Sequence, residues 1–572
     1  MLAGNYVLVL HSHLPWVLHH GTWPHGEDWL NEVTAECYIP LLNAFNELLN
    51  DGITPKVTIG ITPVLCEQLA HPEYPEIFKE YCKSKIEGAK LDRNYYKERN
   101  YNGHQIYLAE YWQKWYSDRL DDFETKYDCN IVQSFRELQD RGAIEIITCA
   151  ATHGYLPLLP TEKSINMQIK LGKENYIKHF GREPRGIWLP ECAYRPSYEW
   201  HSYLPIAPYN IPQWRPGIEQ FLAKHNINFF ITDEKHIAEA SPIGYYKDGN
   251  HDDFKPLWVE NYHLEKSPLK IFNVASSENV SNGTAKVFAR HHDISMQVWS
   301  GKSGYPGNPD YLDFHKQEYE NKSRLRYWRV TDSEADMMYK QLYYPEWTED
   351  KIDLQSNHYI HHLENSANYY KNNKYQDAVI CTPFDTELFG HWWFEGPRFI
   401  KAVLRGLNFS PWVSTATCSE EIEKMNPSEV IRMNEGSWGE NFNNDVWSNK
   451  DNVWTWEHIY NDENALTSFL DKYPLKKLTK KALRILKQAY RELLLEQSSD
   501  WQFLIYTQSA RDYAEIRLAN HHNDFNKLLG FAEKVQNKNR LTKEEDNYLI
   551  ECEKRDSLFE EIDLAWWNDE GF

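Results

Sequence analysis

Paired cysteine is the first thing this sequence lacks. Its nine cysteines are scattered through 572 residues, odd in number and never spaced as CxxC. That argues against a disulfide framework and fits a reducing, cytoplasmic compartment. Basic excess is lacking as well. Lys and Arg total 62 against 84 Asp and Glu, a net charge of −22. Nothing in such a chain offsets phosphates, so nucleic acid and anionic membranes are excluded as partners, while a neutral polymer is not. Long apolar runs are missing too. The first run, Tyr6 to Leu10, is short and follows no basic stretch, so neither a signal peptide nor a membrane span is expected. Asn279-Val280-Ser281 and Asn282-Gly283-Thr284 match the glycosylation pattern, but without a secretion signal they read as chance. There is no internal repeat and no low-complexity tract. The length suffices for a large core divided into two or three domains.

What the chain has in quantity is aromatic residues, 15% of the total, with 22 Trp and 37 Tyr. Most belong in a core. Enough remain to line a carbohydrate cleft, because sugar faces stack on rings.

Short apolar runs alternate with helical stretches. Tyr6 to Leu10, Lys56 to Ile61, Ile144 to Thr148, Gly186 to Pro190, Asn228 to Asp233 and Val379 to Phe384 read as buried strands. Helices are expected at about 33–50 and 163–179, the second stopped by Gly181 as a C-terminal cap. This βα rhythm predicts a parallel sheet or barrel. Residues 75–140 are charged, Tyr-rich and helical in spacing, an excursion from the barrel. Residues 242–285 are polar and break the rhythm, so they read as a long loop. From about 465 the chain reads as all-helical. Leu483, Leu486, Tyr490, Leu493 and Leu494 follow an amphipathic spacing.

Two of the strands end in a carboxylate. Gly186-Ile187-Trp188-Leu189-Pro190 leads into Glu191, and Val379 to Phe384 leads into Asp385. In a parallel barrel the C-terminal strand ends form the catalytic face. Two acids there suit glycoside chemistry, in which one attacks or stabilises and the other shuttles a proton. His11-Ser12-His13 follows the first strand, and residues two apart on a strand share a face. Both imidazoles can therefore enter one pocket, with His153 and His391 as neighbours. A zinc site is the competing reading of these histidines, and a purely structural role is a third. Asp385 stands in Asp385-Thr386-Glu387-Leu388-Phe389-Gly390-His391, where ionisable groups amid aromatics should be coupled. Gly436 to Trp447 is rich in Gly and Trp and reads either as a loop presenting stacking rings or as a packed linker.

Taken together, these motifs resemble glycoside hydrolase family 57. Its ordered pattern is matched by His11-Ser12-His13, by Thr152-His153-Gly154-Tyr155, by the segments around Glu191 and Asp385, and by the segment around Trp438. Within the family, Arg290, Gln297 to Ser300, Gly304 to Gly307, Gly436 to Asn449 and Ser498 to Phe503 resemble the 1,4-α-glucan branching enzymes. The resemblance implies an α/β fold: an incomplete (β/α)7 barrel with a helical insertion and an all-helical C-terminal domain, drawn here as residues 1–415 and 416–572. It also implies a retaining mechanism without metal or organic cofactor, acting on an α-1,4-glucan. Glu191 would be the nucleophile and Asp385 the general acid/base. His11, His13, His153 and His391 would orient sugar and nucleophile. Trp23, Trp299, Trp438 and Trp447 would be stacking platforms, and Arg290 and Asp500 polar contacts. The family carries a mobile loop with a Tyr over its active site. Tyr246 or Tyr245 is the candidate, with Gly244 as hinge. Hydrolysis or 4-α-glucanotransfer would change only the acceptor. A glucan-binding protein with little turnover and a metal-dependent deacetylase are the other readings.

Overall fold

The computed structural model describes residues 2–247, 253–257, 264–332, 334 and 336–568. Seven parallel strands form its centre: β1 (Gly4–Ser12), β2 (Val57–Ile61), β3 (Ile144–Cys149), β4 (Gly186–Trp188), β5 (Phe229–Asp233), β6 (Ala285–Arg290) and β7 (Ala378–Asp385). Each pairs in parallel with the next in this order, and β7 pairs with β1 along eight residues. Closure between β6 and β7 comes through Arg290 opposite Cys381. The result is a seven-stranded barrel.

The period of two along each strand sorts side chains between its two faces. Val7 and Val9, Ile147 and Cys149, Trp188, Phe229 and Ile231, Phe288, and Val379 and Cys381 meet in one buried cluster, the barrel interior. Tyr6, Leu8 and Leu10 of β1 point the other way, into the core shared with the surrounding helices. Burial on both faces explains why these runs are continuously apolar rather than alternating. Carrying the inward parity to the C-terminal ends brings in His11, Asp233, Arg290 and Asp385. His11 stands opposite Asp385 in the β1–β7 register, and Arg290 opposite Asp233 in β5–β6. The strands thus deliver polar groups to one end of the barrel as a consequence of spacing.

The helical excursion is present as Tyr74–Glu98, Gly103–Asp121 and Ile131–Asp140. Helix Glu162–Phe180 starts on the Thr161 hydroxyl, which accepts from the Ser164 N–H. It ends at Gly181 in the left-handed region at φ 69°. After the barrel come helices Val453–Lys472, Lys480–Glu496, Asp500–Thr507, Arg511–Gln536 and Lys543–Arg555. Leu486, Leu493 and Leu494 are buried on the inner stripe of Lys480–Glu496. Among the described residues no helix is long and apolar enough to cross a membrane.

The stretch 242–285 differs from the long loop expected of it. Strand Phe272–Val274 runs antiparallel to β6 and parallel to Glu429–Arg432. The latter pairs antiparallel with Ser241–Tyr246, which turns back as Phe254–Pro256. These strands exist because partners far along the chain supply their ladders, and no local period announces that. Residues 248–252 and 258–263 of this stretch lie outside the described residues. The same pairing corrects the boundary at 416. Glu429–Arg432 belongs to the barrel's extended sheet, so the helical part begins after it.

Candidate active site

Glu191 follows β4 in a short turn, Pro190–Cys192, with its own backbone at φ 59° and that of Cys192 at φ 49°. His153 has φ 60°. Left-handed backbone at residues with a Cβ costs on the order of 1–3 kcal/mol each and persists only where the surroundings enforce it. Here the enforcement is visible. The Glu191 carbonyl accepts from the Trp438 N–H at 3.1 Å, and Tyr194 and Gly436 exchange two backbone hydrogen bonds of 2.9 and 3.0 Å. Segment 436–438 thus splints the turn that aims the carboxyl group.

The Glu191 carboxylate accepts from Trp438 Nε1 at 3.0 Å and from Ser499 Oγ at 3.0 Å. Ser499 lies 2.8 Å from His153 Nδ1, and His153 Nε2 lies 3.1 Å from His11 Nε2. With an ionised Glu191 one assignment satisfies the row: His11 donates to His153, His153 to Ser499, and Ser499 to Glu191. Burial lowers both His11 and His153 well below the usual imidazole range, so each is neutral, as this row requires. The His11 ring stacks on Trp188 at 4.4 Å, and Gly60 on β2 leaves room beside it: a Cβ there would sit 3.4 Å from His11 Nδ1. His13 stacks on His153 at 3.9 Å and meets Asp500 at 2.9 Å through Nε2.

Asp385 closes β7. Burial pushes its carboxyl up to about 8; Glu387 adds to the rise, while Arg290 works against it. Glu191 is pushed up to about 7 by burial, with Trp438 pulling it down, Asp385 and Asp500 raising it, and Ser499 lowering it. The difference has a chemical sense. Glu191 is held by two donors that favour its anion, and Asp385 sits beside a second acid that favours its protonated form. The setting favours Glu191 as the anion of the pair and Asp385 as the acid that holds the proton. Burial also pushes Glu387 up to about 7, and its Oε1 accepts from Tyr38 at 2.5 Å and from the His13 N–H at 3.2 Å. Asp500 goes the other way: burial would raise it, but His13, His153 and the Ser498 hydroxyl together hold it down to about 2.

The remaining expected residues divide. Trp438 and Trp299 pack edge to face at 5.9 Å, so Trp299 joins the site through Trp438. Arg290 is ion-paired to Asp233 at 2.5 Å and acts electrostatically on Asp385. Trp23 is exposed and carries the Arg324 guanidinium on its face at 3.7 Å. It lines a cavity of about 620 Å³ with Pro24, His25, Gln508 and Tyr513, a surface apart from the two acids. Trp447 corrects expectation. It is fully buried, stacks on Tyr155 at 4.8 Å and belongs to the core between barrel and helices. Its Gly-rich context reflects tight packing: a Cβ on Gly439 would lie 2.7 Å from the Trp447 ring. His391 is a second correction. Gly390, at φ 122°, turns the chain away from Asp385, and His391 Nδ1 meets Glu36 Oε2 at 3.1 Å beside Arg326. The lid candidates sit in the Ser241–Tyr246 hairpin, where Tyr246 is buried against Ile243, Ala275 and Val430. Gly244 serves strand contact there rather than a hinge, since a Cβ would meet the Lys255 carbonyl at 2.3 Å.

Ser499 and Glu387 were not among the expected site residues. Each lay within a segment already singled out, Glu387 among the coupled ionisable groups after Asp385 and Ser499 in Ser498 to Phe503, but neither was given a role. Ligand atoms of His13, His153 and Asp500 lie within 4.8 Å of one another, close enough for a divalent ion. Every one of these groups is also engaged in the hydrogen bonds above.

A parallel barrel with two environment-tuned acids at its strand ends, one of them oriented by an indole and a hydroxyl, defines a carbohydrate-active enzyme of the glycosidase type. Comparison with known proteins agrees. The sequence model of Glycosyl hydrolase family 57 matches residues 7–434, and that of the 1,4-alpha-glucan branching enzyme C-terminal region matches residues 458–567. The chain belongs to glycosyl hydrolase family 57. It is 36% identical over 564 residues to a 1,4-alpha-glucan branching enzyme of Thermococcus kodakarensis, covering 98% of this chain and 78% of that one. It is 28% identical to a probable 1,4-alpha-glucan branching enzyme of Mycobacterium tuberculosis, covering 92% of each. A branching enzyme structure from Pyrococcus horikoshii superposes with a TM-score of 0.87 at 35% identity, covering 99% of this chain and 97% of that one. An α-amylase from Thermotoga maritima gives 0.79 at 27%, covering all of both.

Proposed function

We propose that the chain is a 1,4-α-glucan branching enzyme that retains anomeric configuration. The observation that carries the mechanism is the unequal setting of the two acids. Glu191, ionised and fixed by Trp438 and Ser499, attacks the anomeric carbon of an internal α-1,4-linked glucose. The bond from that carbon to the glycosidic oxygen breaks. Asp385 gives its proton to that oxygen, and the shorter chain leaves with a free 4-hydroxyl. The donor fragment is then esterified to Glu191. Asp385, now a carboxylate, takes the proton of an incoming 6-hydroxyl, whose oxygen bonds to the anomeric carbon and frees Glu191. Two inversions leave the configuration unchanged. No step calls for a metal. The match to the branching enzyme C-terminal model and the names of the full-length relatives support the 6-hydroxyl as acceptor.

One observation favours a second reading, in which water is the acceptor: the α-amylase of Thermotoga maritima shares the fold over its whole length. Products on amylose separate the two. New α-1,6 linkages, revealed by a debranching enzyme and formed without matching reducing ends, are expected. Reducing ends in proportion to cleaved bonds would make the chain a hydrolase. Azide separates the roles of the acids. In Asp385→Asn it should replace the deprotonated acceptor and give a product of retained configuration. In Glu191→Ala it should replace the nucleophile and give an inverted one.

A further inference from the structure

The two-stranded hairpin Tyr198–Trp200 and Gln213–Arg215 carries a surface that the chemistry above does not use. Its register sets Glu199 opposite Trp214, so these two side chains share one face. On the other face Trp200 is buried, with the Arg215 guanidinium over its ring at 4.6 Å. Trp214 is 71% exposed. Tyr203, in the connecting segment, is 48% exposed, and Ser448 Oγ donates to its hydroxyl at 2.7 Å. The ring is therefore both open to solvent and fixed in direction.

Beside Tyr203 lies a cavity of about 330 Å³, within the range of small-molecule sites. Tyr198, Glu199, His201, Glu435 and Asn444 supply its polar wall. These groups are already ordered. Tyr198 donates to Glu435 at 2.5 Å, Asn444 donates to the same carboxylate at 2.6 Å, and Tyr155 donates to Asn444 at 2.7 Å. The wall combines rings, an amide, hydroxyls and two carboxylates, and its lining residues include no lysine or arginine. An anionic ligand would meet two carboxylates and no lining cation. A purely apolar one would strip water from the exposed Glu199 carboxylate and His201 ring with nothing in exchange. A neutral polyhydroxylated chain satisfies both, stacking on rings and bonding to carboxylate and amide. Glu435 also joins the cavity directly to Gly436–Trp438, the segment that splints Glu191.

We propose that this groove is a second α-glucan site, which holds a strand of the polymer outside the catalytic pocket. Its role rests on the branching reading: a tethered polymer presents donor and acceptor chains at raised local concentration. The test is the full-length Tyr203→Ala/Trp214→Ala variant, checked for an unchanged melting profile, since both rings are exposed. Glycogen binding is read by retardation in native gels, in a Glu191→Gln background so that turnover does not intervene. The double variant should bind glycogen about a hundredfold more weakly, the low end expected when one of two linked contacts is lost. With Glu191 restored, turnover of a short maltooligosaccharide should stay within about twofold, as for independent sites. Unchanged glycogen binding would overturn the proposal. So would an equal loss on short and long substrates, which would place the rings in the catalytic pocket. A lower oligomeric mass with unchanged glycogen binding would make the rings a contact between copies of the chain, and also overturns it. Failure of the branching reading itself would appear elsewhere, as absent α-1,6 products from the unmodified enzyme.

Discussion

Glu191→Gln should make the protein inactive and, above neutral pH, more stable. Folding moves the carboxyl from 4.5 to about 7. At 1.36 kcal/mol per unit, keeping it ionised in the fold costs about 3 kcal/mol. The side chain is only 14% exposed, so little of this is screened away. The sign follows from proton binding. Between 4.5 and about 7 the folded protein holds a proton that the unfolded chain has released, so this acid favours folding fully below 4.5 and loses that favour as pH rises through 7. Glutamine does not titrate. Its oxygen can accept from Trp438, and its NH₂ can face Ser499, whose hydroxyl can turn to donate to His153 instead. The two proteins should therefore melt alike near pH 4.5 and diverge toward pH 8. With an unfolding entropy of about 2.1 cal/mol/K per residue, 572 residues give about 1.2 kcal/mol/K, so the gain is about 2–3 °C. Scanning calorimetry across that range, beside amylose turnover, makes the measurement. A gain that is the same at every pH, a loss of stability at pH 8, or surviving turnover would each refute the reasoning.

Glu387→Gln should move the alkaline limb of the kcat/KM profile to lower pH, because it removes the negative neighbour that raises Asp385; an unmoved or raised limb would count against that coupling. Asp385→Asn should cost several orders of magnitude in turnover with the fold intact, measured on purified, folded protein. Trp447→Ala should destabilise by about 3–5 kcal/mol, as for other buried tryptophans, with no selective effect on long glucans; denaturant unfolding and chain-length kinetics test both halves. Chelators should leave activity unchanged, and a stoichiometric metal signal whose removal abolishes turnover would refute the metal-free mechanism.

Much of the barrel was legible because a strand buried on both faces writes itself as a continuous apolar run. The same runs led to Asp385, since parity along β1 and β7 carries the interior face outward to His11 and Asp385; strand β6 was not among the expected strands, and Glu191 stands in a turn beyond β4 that parity does not reach. The pairing of His11 with His13 was legible by the same parity. What else escaped was non-local. Ser241–Tyr246 and Phe272–Val274 are strands because of residues near 430, and their own composition is that of a loop. Trp447 and His391 were misread because a sequence shows a ring or an imidazole but not its direction. One glycine turn, at Gly390, sends His391 to Glu36 rather than to Asp385. Ser499 was hidden by distance: 308 positions separate it from the carboxylate it orients.

That last separation has a consequence in time. Both acids and most of the histidines leave the ribosome with the barrel, yet the indole and the hydroxyl that aim Glu191 come from residues 438 and 499. A nascent chain thus carries the reacting groups long before it holds the donors that aim its nucleophile. Chains arrested at successive lengths and supplied with amylose should stay silent until helix Asp500–Thr507 has cleared the exit tunnel, and then switch on in a single step.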